Sequence, residues 1–341
     1  MPLKPIPALL ASAAALVALL VLPAAAPAAK VNIAVGIGDQ SAAMFANPHF
    51  KALKVKKARY FVRWDAIDDP TALARADEWL RAAKTAGVRP LLHLDGLDID
   101  RNTRPPSVSL WRSKVKALVA RYRRGSDGRA SVPDWGVWNE ANSKTQPVYR
   151  LSGARRTAKY FLALRSLCRG CQIVALDLLD ARNYKGYIRA FYGALGSRKR
   201  FATIVGIHNY GDTNRPRNNT GAIIDTVRRY NRRAKFWLTE TGGIALLQNT
   251  DPKTGRLRVS RGLGCNPARP GTAERRQARA VAKMFRIARR YRRHVKRLYP
   301  YNFYGTDCDL RLRFDAGLLR SDGSRRPAYA TLKRAMRSFR R

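Results

Sequence analysis

Short apolar runs alternate with longer amphipathic stretches along most of the chain. Each short run is continuously apolar, without the alternation of a half-exposed strand, which is typical of parallel strands covered on both faces. Eight such runs predict eight strands: Val31–Ile37, Tyr60–Trp64, Pro90–Leu94, Trp135–Asn139, Ile173–Asp177, Ile204–Asn209, Lys235–Glu240 and Leu298–Tyr304.

The stretches between these runs have helical spacing. Ala76, Leu80 and Ala83, for example, fall on one face of a helix. The same spacing predicts helices at Thr71–Thr85, Val108–Tyr122, Gly153–Leu167, Tyr184–Leu195, Gly221–Tyr230, Ala273–Tyr291 and Ala328–Phe339. Because strand and helix alternate without a reversal, the pattern predicts an α/β fold in a single domain, the closed parallel (β/α)₈ barrel or TIM barrel.

An open doubly wound sheet is the alternative architecture. It would carry a glycine-rich phosphate-binding turn directly after its first strand. Gly36 and Gly38 stand at that point, but no GxGxxG follows and no helical pattern begins there. We therefore favour the barrel and interpret the two glycines as part of a loop.

The first 28 residues have the pattern of a secretory signal peptide. Lys4 is the only charged residue before Lys30, an apolar run follows at residues 8–22, and small residues lead to Ala28. An uncleaved membrane anchor is the alternative, but the apolar run is shorter than the roughly 20 residues of a membrane span. We expect export, cleavage after Ala28, an extracellular barrel domain over residues 30–341 and no later membrane span.

Four cysteines gain importance from the expected export, because disulfides persist outside the cell. Cys168 and Cys171 form a CxxC, which also occurs in redox and metal sites, but no second CxxC or histidine at ligand spacing accompanies it. Sequence alone allows three pairings. We favour a local Cys168–Cys171 bridge and a Cys265–Cys308 bridge between two long insertions, residues 242–270 and 305–317.

The formal net charge is +44, from 67 basic and 23 acidic residues. Such a charge raises the question of nucleic-acid binding. The basic residues are spread along the chain, largely on predicted helix faces, and no recognition motif or basic arm is present, so we expect no nucleic-acid partner. An arginine-rich solvated surface is the simpler interpretation, and adhesion to an anionic wall polymer is the functional alternative.

Polar and aromatic residues stand at the carboxyl end of nearly every predicted strand, where a barrel of this kind has its active site. These ends are Arg63-Trp64-Asp65, His93-Leu94-Asp95, Trp138-Asn139-Glu140, Asp177, His208-Asn209-Tyr210, Thr239-Glu240 and Asn302-Phe303-Tyr304. Glu140 and Glu240 come from separate strands and are expected to face one space. Such a pair suits glycosidic bond cleavage, in which one carboxyl donates a proton and the other attacks or stabilises the anomeric carbon.

Asn139-Glu140 on the fourth predicted strand and Glu240 on the seventh resemble the signature of clan A glycoside hydrolases. This large group of (β/α)₈ glycosidases includes the cellulase-like and xylosidase-like enzymes. The resemblance extends from about Val31 to the end of the chain. It implies a retaining hydrolase of β-linked glycosides, with Glu140 as acid/base, Glu240 as nucleophile, a carbohydrate substrate and no cofactor.

The resemblance also assigns roles to residues around the two glutamates. It implies that Asn139 binds the sugar 2-hydroxyl and that Tyr210, in the sequence His208-Asn209-Tyr210, touches the nucleophile. It further implies that Arg63 on the second strand supports the nucleophile. His208 is expected to belong to the substrate site with Tyr210.

One departure from the clan concerns the sugar platform. The clan commonly has a tryptophan near the end of strand eight, and this chain has Phe303 and Tyr304 there instead. Trp138 is either a second platform or a packing residue, and His93 is equally consistent with substrate binding and with a plain strand end. No His, Asp and Glu cluster has metal-ligand spacing, so we expect no metal. We expect a monomeric enzyme, and the alternative is a silent barrel that binds wall glycan.

Overall fold

A computed structural model describes residues 1, 30–96, 104–251 and 254–340, and its centre is a ring of parallel strands. The ring consists of β1 Val31–Val35, β2 Lys57–Arg63, β3 Arg89–Asp95, β4 Asp134–Gly136, β5 Gln172–Leu179, β6 Ile204–His208, β7 Lys235–Thr241 and β8 Val295–Pro300. β1 pairs with β8, and its continuation Ile37–Gly38 pairs with β2, so hydrogen bonds close the ring. The predicted (β/α)₈ barrel is confirmed.

A helix follows each strand. The helices are α1 Pro48–Leu53, α2 Pro70–Thr85, α3 Val108–Tyr122, α4 Leu151–Leu167, α5 Tyr184–Leu195, α6 Asn219–Tyr230, α7 Gly271–Arg290 and α8 Pro327–Ala335. Side-chain caps fix some of the starts: Asp69 accepts a hydrogen bond from the Ala72 amide and Ser107 from the Leu110 amide. The helical spacing of apolar residues in the sequence predicted seven of these helices, and α3 and α5 have their predicted bounds.

Two of the predicted strands start too late, at points where the barrel buries a charge. β2 begins at Lys57 and β8 at Val295, each three residues before the predicted start. Both omitted segments contain an arginine, Arg59 and Arg297, whose exposed fractions are 1% and 8%. A search for continuously apolar runs stops at such residues, although each is buried against a carboxylate contributed by another strand.

Arg297 ties the strands together at the end of the barrel where they begin. Its Nη1 donates to Asp134 Oδ2 at 2.6 Å, and its guanidinium lies 3.8 Å from the centre of the Trp237 ring. Arg89 donates to both oxygens of the same carboxylate, at 2.8 and 2.6 Å. Asp134, which is 1% exposed, therefore joins β3, β4 and β8 through buried charge-assisted hydrogen bonds.

The two long insertions pack together at the opposite end. Segments Leu246–Thr250, Leu257–Val259 and Phe314–Asp315 form a separate three-stranded sheet. A disulfide joins Cys265 to Cys308, and a second joins Cys168 to Cys171, so both predicted pairings are confirmed. These bonds connect the β7–α7 insertion to the β8–α8 insertion and the end of α4 to the segment before β5.

The predicted signal peptide falls on residues 1–28, and residues 2–29 lie outside the described residues. Among the residues that are described, no helix combines the length and the apolar character needed to cross a bilayer.

Asp134→Ala is expected to lower the free energy of unfolding by about 3–5 kcal/mol, because Arg297 would remain buried without its carboxylate. Urea unfolding followed by circular dichroism measures the change. Glu78→Ala, at an exposed position of α2, is the control and should shift stability by less than about 0.5 kcal/mol. Equal stability of the two variants would contradict the role assigned to this ion pair.

Candidate active site

Glu140 and Glu240 lie together at the carboxyl ends of β4 and β7. One carboxylate oxygen of each lies within 4.8 Å of the other, and an imidazole nitrogen of His208 lies within the same distance of both. Glu140 has a φ of 44°, a left-handed conformation that is rare for residues other than glycine and concentrates at functional sites. The next amide, that of Ala141, donates to the Asp177 carbonyl at 3.0 Å and anchors this turn to β5.

Both oxygens of Glu240 are held by donors. Arg59 Nη1 donates to Oε1 at 2.7 Å, and the Tyr210 hydroxyl donates to Oε2 at 3.2 Å. Burial and the neighbouring Glu240 charge raise the pKa of Tyr210 well above its usual value, so this hydroxyl keeps its proton. The contact between Tyr210 and Glu240 agrees with the role expected for Tyr210.

Arg59, and not Arg63, is the arginine that binds Glu240. Arg63 ends β2, forms an ion pair with Asp65 at 2.7 Å and is 43% exposed in its side chain. The role expected for Arg63 is wrong. It was assigned to the last residue of the strand, whereas a residue nearer the start of the strand reaches the site. The sequence contained a signal for Arg59: an arginine at the start of an apolar run needs a buried anion.

His208 lies between the two glutamates. Its Nδ1 is 3.0 Å from Glu140 Oε1 and 3.6 Å from Glu240 Oε2, and its Nε2 is 2.8 Å from Asp177 Oδ2. Burial alone would lower the pKa of His208, but the charges of Asp177 and Glu240 outweigh burial and raise it to about 10. His208 is fully buried, so it acts on the site through the two glutamates and does not offer a surface to substrate.

Asp177 Oδ2 lies between His208 and the Nε2 of a second histidine, His93, which is 3.4 Å away. Burial alone would raise the pKa of Asp177, but the adjacent His208 charge holds it well below the usual range. His93 is also fully buried, and burial lowers its pKa to about 3, so it is neutral and its Nδ1 accepts from Arg59 Nε at 3.3 Å. His93 therefore orients Arg59. It does not contact substrate directly, which was one of its two predicted roles.

Glycine is required where these groups touch the strands. A Cβ on Gly206 of β6 would overlap the Asp177 carboxylate, and one on Gly136 of β4 would overlap the His93 ring. Neither position has room for a larger residue, because the buried side chain fills the space against the strand.

Asn139 links Arg59 to a third buried carboxyl. Its Oδ1 accepts from Arg59 Nη2 at 2.6 Å, and its Nδ2 donates to Asp95 Oδ2 at 3.3 Å. Burial raises the pKa of Asp95 to about 7, and hydrogen bonds from the Gly96 amide and Gln146 offset only part of that effect. The amide of Asn139 is thus held in one orientation beside Glu140, as the proposed contact with a sugar hydroxyl requires.

Two of the predicted substrate-binding aromatic residues, Trp138 and Phe303, are fully buried, and a third, Tyr304, is partly buried. Trp138 is fully buried and its indole donates to Gln146 Oε1 at 2.9 Å, so it is a packing residue. Phe303 is fully buried as well, and its ring lies 5.9 Å from that of Phe50. Tyr304 packs against the same core and its hydroxyl accepts from Asn47 at 3.3 Å. Packing is thus the one of its two predicted roles that Trp138 has, and the platform role predicted for Phe303 is wrong.

Other aromatic rings lie around Tyr210, the residue that donates to Glu240. Phe314, from the second insertion, lies 5.4 Å from the Tyr210 ring and 6.1 Å from Tyr301, which follows β8. Tyr301 in turn lies 6.0 Å from Phe61 of β2. Phe61 stands two residues after Arg59, and since side chains on a strand alternate, both face the same side. No comparable signal pointed to Phe314, because its position depends on how the insertion folds.

The described residues bring three side chains with metal-binding atoms together: Glu140, His208 and Glu240. A metal requires a neutral imidazole as its ligand. The pKa of His208 is raised to about 10, so both ring nitrogens carry protons at neutral pH, and Arg59 already binds Glu240 Oε1. The donor set fits a hydrogen-bonded cluster better than a metal centre.

No protein-family model matches the chain, and no curated protein matches it. Solved structures do resemble it. The intracellular xylanase TsXylA of Thermoanaerobacterium saccharolyticum is 14% identical, with a TM-score of 0.58, over 88% of this chain and 95% of its own. Xylanase XynB of Paenibacillus barcinonensis is 12% identical, with a TM-score of 0.60, over 88% and 95%. A glucosidase from Croceicoccus marinus is 12% identical, with a TM-score of 0.64, over 92% and 67%. At these identities the likeness establishes the shared barrel fold.

His208 is expected to remain protonated at pH 8, while His93 remains neutral at pH 5. Heteronuclear NMR of the imidazole nitrogens measures both states. Asp177→Asn removes the anion that raises the pKa of His208 and should lower that pKa from about 10, whereas the exposed Asp225→Asn should leave it in place. A neutral His208 in the wild type at pH 8 would refute the charge assignment, even if Asp177→Asn does not fold.

Asp95→Asn is expected to flatten the dependence of stability on pH between about 4 and 7. The pKa of Asp95 is raised to about 7, so the folded protein holds a proton that the unfolded chain has released, and stability falls as pH rises through this range. The contribution is on the order of 4 kcal/mol. Urea unfolding across this range measures it, and Asp225→Asn should keep the slope of the wild type. An unchanged slope in Asp95→Asn would contradict the raised pKa.

Proposed function

We propose that the chain is a retaining glycoside hydrolase that cleaves a β-linked glycoside or polysaccharide. The observation that carries the proposal is the pair Glu140 and Glu240, which come from β4 and β7 and face each other in unlike surroundings. Arg59 and Tyr210 bind the Glu240 oxygens, whereas Glu140 contacts His208 and is more exposed. Unlike surroundings allow one carboxyl to carry a proton while the other stays charged.

In the proposed reaction, Glu140 protonates the oxygen of the leaving group while Glu240 attacks the anomeric carbon. The product of this step is a glycosyl ester on Glu240. Glu140, now a carboxylate, then takes a proton from water, which attacks the same carbon and releases the sugar. Two inversions give net retention.

The separation of the carboxyl groups supports retention. Retaining enzymes place them about 5–5.5 Å apart, and inverting enzymes leave about 6.5–9.5 Å for a water molecule. An oxygen of Glu140 lies within 4.8 Å of an oxygen of Glu240. This approach of the nearer oxygens is compatible with the retaining range and supports direct attack by Glu240.

His208 fits the movement of charge in this reaction. The first step consumes the negative charge of Glu240 and creates one on Glu140. Because the His208 Nδ1 lies 3.0 Å from one carboxylate and 3.6 Å from the other, its positive charge is next to the anion before and after the step. A fixed cation that needs no rearrangement lowers the barrier through preorganisation.

The structural neighbours support a carbohydrate substrate. Xylanases and a glucosidase are among the proteins that share this barrel, and one of them is named as an endo-β-1,4-xylanase. In this chain Tyr301, Phe314 and Phe61 provide partly exposed rings next to the nucleophile, as a sugar-binding site requires. The proposed substrate is therefore a β-glycoside whose sugar stacks against these rings.

We also propose that the protein acts outside the cell as a monomer and adheres to an anionic wall polymer. The apolar leader in the sequence and the two disulfides support export. The net charge of +44 supports adhesion, because it attracts polyanions over several ångströms.

The proposed hydrolysis is tested with aryl β-glycosides and β-glycans. Glu240→Ala is expected to abolish hydrolysis, and added azide should restore turnover with an inverted glycosyl azide as product. Glu140→Gln should lower kcat by about 10²–10⁴-fold, with the smaller loss on aryl glycosides whose leaving groups need little protonation. Glu78→Gln, far from the site on α2, is the control and should keep full activity.

Full activity in Glu240→Ala would refute the assignment of the nucleophile. Salt-sensitive binding of glycans by the wild type, without hydrolysis of any substrate in the panel, would favour the silent barrel instead.

A further inference from the structure

The surface of the folded protein has a higher share of basic residues than the sequence as a whole, because folding buries a larger fraction of the acids. Among the described residues, ten acids are buried: Asp39, Asp77, Asp95, Asp134, Asp177, Asp180, Asp212, Glu240, Glu274 and Asp315. The buried cations are fewer, namely Arg59, Arg129, Arg297 and Arg326. Folding therefore buries ten of the 23 acids but only four of the 67 basic residues in the described part of the chain, which raises the excess of positive charge at the surface.

Two adjoining cavities concentrate this charge at the end of the barrel opposite the glutamates. The first, of about 470 Å³, is lined by Lys84, Gly87, Val88, Arg89, Pro90, Arg124, Gly125, Arg129, Ala130, Ser131 and Pro133. The second, of about 450 Å³, lies between α3 and α4 and is lined by Lys116, Val119, Ala120, Arg123, Arg124, Ser166 and Leu167. Arg124 belongs to both cavities, and we refer to them together as the basal groove. No acidic and no aromatic residue lines either cavity.

Several cations of the basal groove lack an opposite charge. Lys84, Lys116 and Arg124 are exposed, and no carboxylate in the described ranges forms an ion pair with them. Arg129 is 3% exposed and its Nε has no hydrogen-bond partner, although its other nitrogens bind Asp77 and Asp127. A concave site with unpaired cations and a buried unsatisfied N–H favours an anionic ligand.

The helix dipole explains only part of this arrangement. Cations near the last turn of a helix each gain about 0.3–1 kcal/mol from the partial negative charge there. Lys84, in the last turn of α2, fits that explanation. Lys116 lies in the middle of α3, and Arg123 and Arg124 follow its end, so the groove has more cations than its helix ends require.

We propose that the basal groove binds a linear anionic polysaccharide, whose carboxylate, sulfate or phosphate groups contact Lys84, Lys116 and Arg124. Its two cavities share Arg124 and so offer a continuous path to a flexible chain.

The absence of aromatic residues from the lining of the basal groove disfavours single-stranded nucleic acid, whose bases stack on aromatic rings. Because the groove lies at the amino-terminal end of the barrel, a polymer bound there leaves the glutamates accessible. The proposal rests on the proposed adhesion and not on the proposed hydrolysis.

Binding to immobilised dextran sulfate at several salt concentrations tests the groove. Lys84→Gln combined with Arg124→Gln should weaken binding by about tenfold. It should also lower the slope of log Kd against log salt by roughly one for each cation removed. Arg279→Gln combined with Arg286→Gln, on the exposed face of α7, removes the same charge and is the matched control, which should bind almost as the wild type does.

Equal weakening in both double variants would overturn the groove and leave only a general effect of net charge. No binding of dextran sulfate by the wild type would overturn both the groove and the adhesion. Tighter binding to double-stranded DNA than to dextran sulfate at equal salt would assign the groove to the other class of polymer. Hydrolysis of aryl glycosides is measured on the same variants and should not change, so this outcome is independent of the catalytic proposal.

Discussion

The arrangement of the site depends on one buried guanidinium, that of Arg59. A fully buried cation is strongly destabilising unless each of its donors is satisfied. Arg59 meets this condition with His93 on β3, Asn139 after β4 and Glu240 on β7, and it lies 3.6 Å from Asp177 on β5. Four strands thus supply the shell of one side chain from β2. Since guanidinium geometry is planar and rigid, this shell also fixes the orientation of Asn139 and Glu240 relative to each other.

A second cation completes the balance of charge. Arg59 and His208 are opposed by Asp177 and Glu240, all four buried, and His93 contributes no charge because its pKa is lowered to about 3. Asp177 is therefore more than a strand-end residue, because its charge opposes the buried cations and raises the pKa of His208. In the proposed reaction the negative charge passes from Glu240 to the more exposed Glu140, while Arg59, His208 and Asp177 keep their charges.

The sequence was sufficient for the barrel and for the two glutamates, because apolar runs of strand length and their ends are local properties. It was insufficient for the role of Arg59, since an arginine next to an apolar run indicates a buried anion but does not show how deep along β2 the site begins. The same limit applies to aromatic residues around the site. Phe303 and Tyr301 stand two residues apart at the end of β8, and only the packing of Phe303 against Phe50 of α1 decides which of them is available to the site. Phe314 reaches Tyr210 through an insertion that is fixed by a disulfide and by the ion pair between Arg326 and Asp315, contacts formed by residues distant in sequence.

The acids that are buried in the interior also affect the charge of the surface. Asp177 and Glu240 lie at one end of the barrel with Arg59, and Asp134 closes the other end against Arg89 and Arg297. Asp177 and Glu240 neutralise the buried Arg59, and Asp134 is shared between the buried Arg297 and the more exposed Arg89. A chain with 23 acids and 67 basic residues that buries its acids in this way has an exterior on which arginine and lysine are largely unopposed. Repulsion between the positive charges on that surface destabilises the folded state, and a bound polyanion would relieve this repulsion. The positive surface and the buried charge clusters therefore both follow from how the acids are divided between interior and exterior.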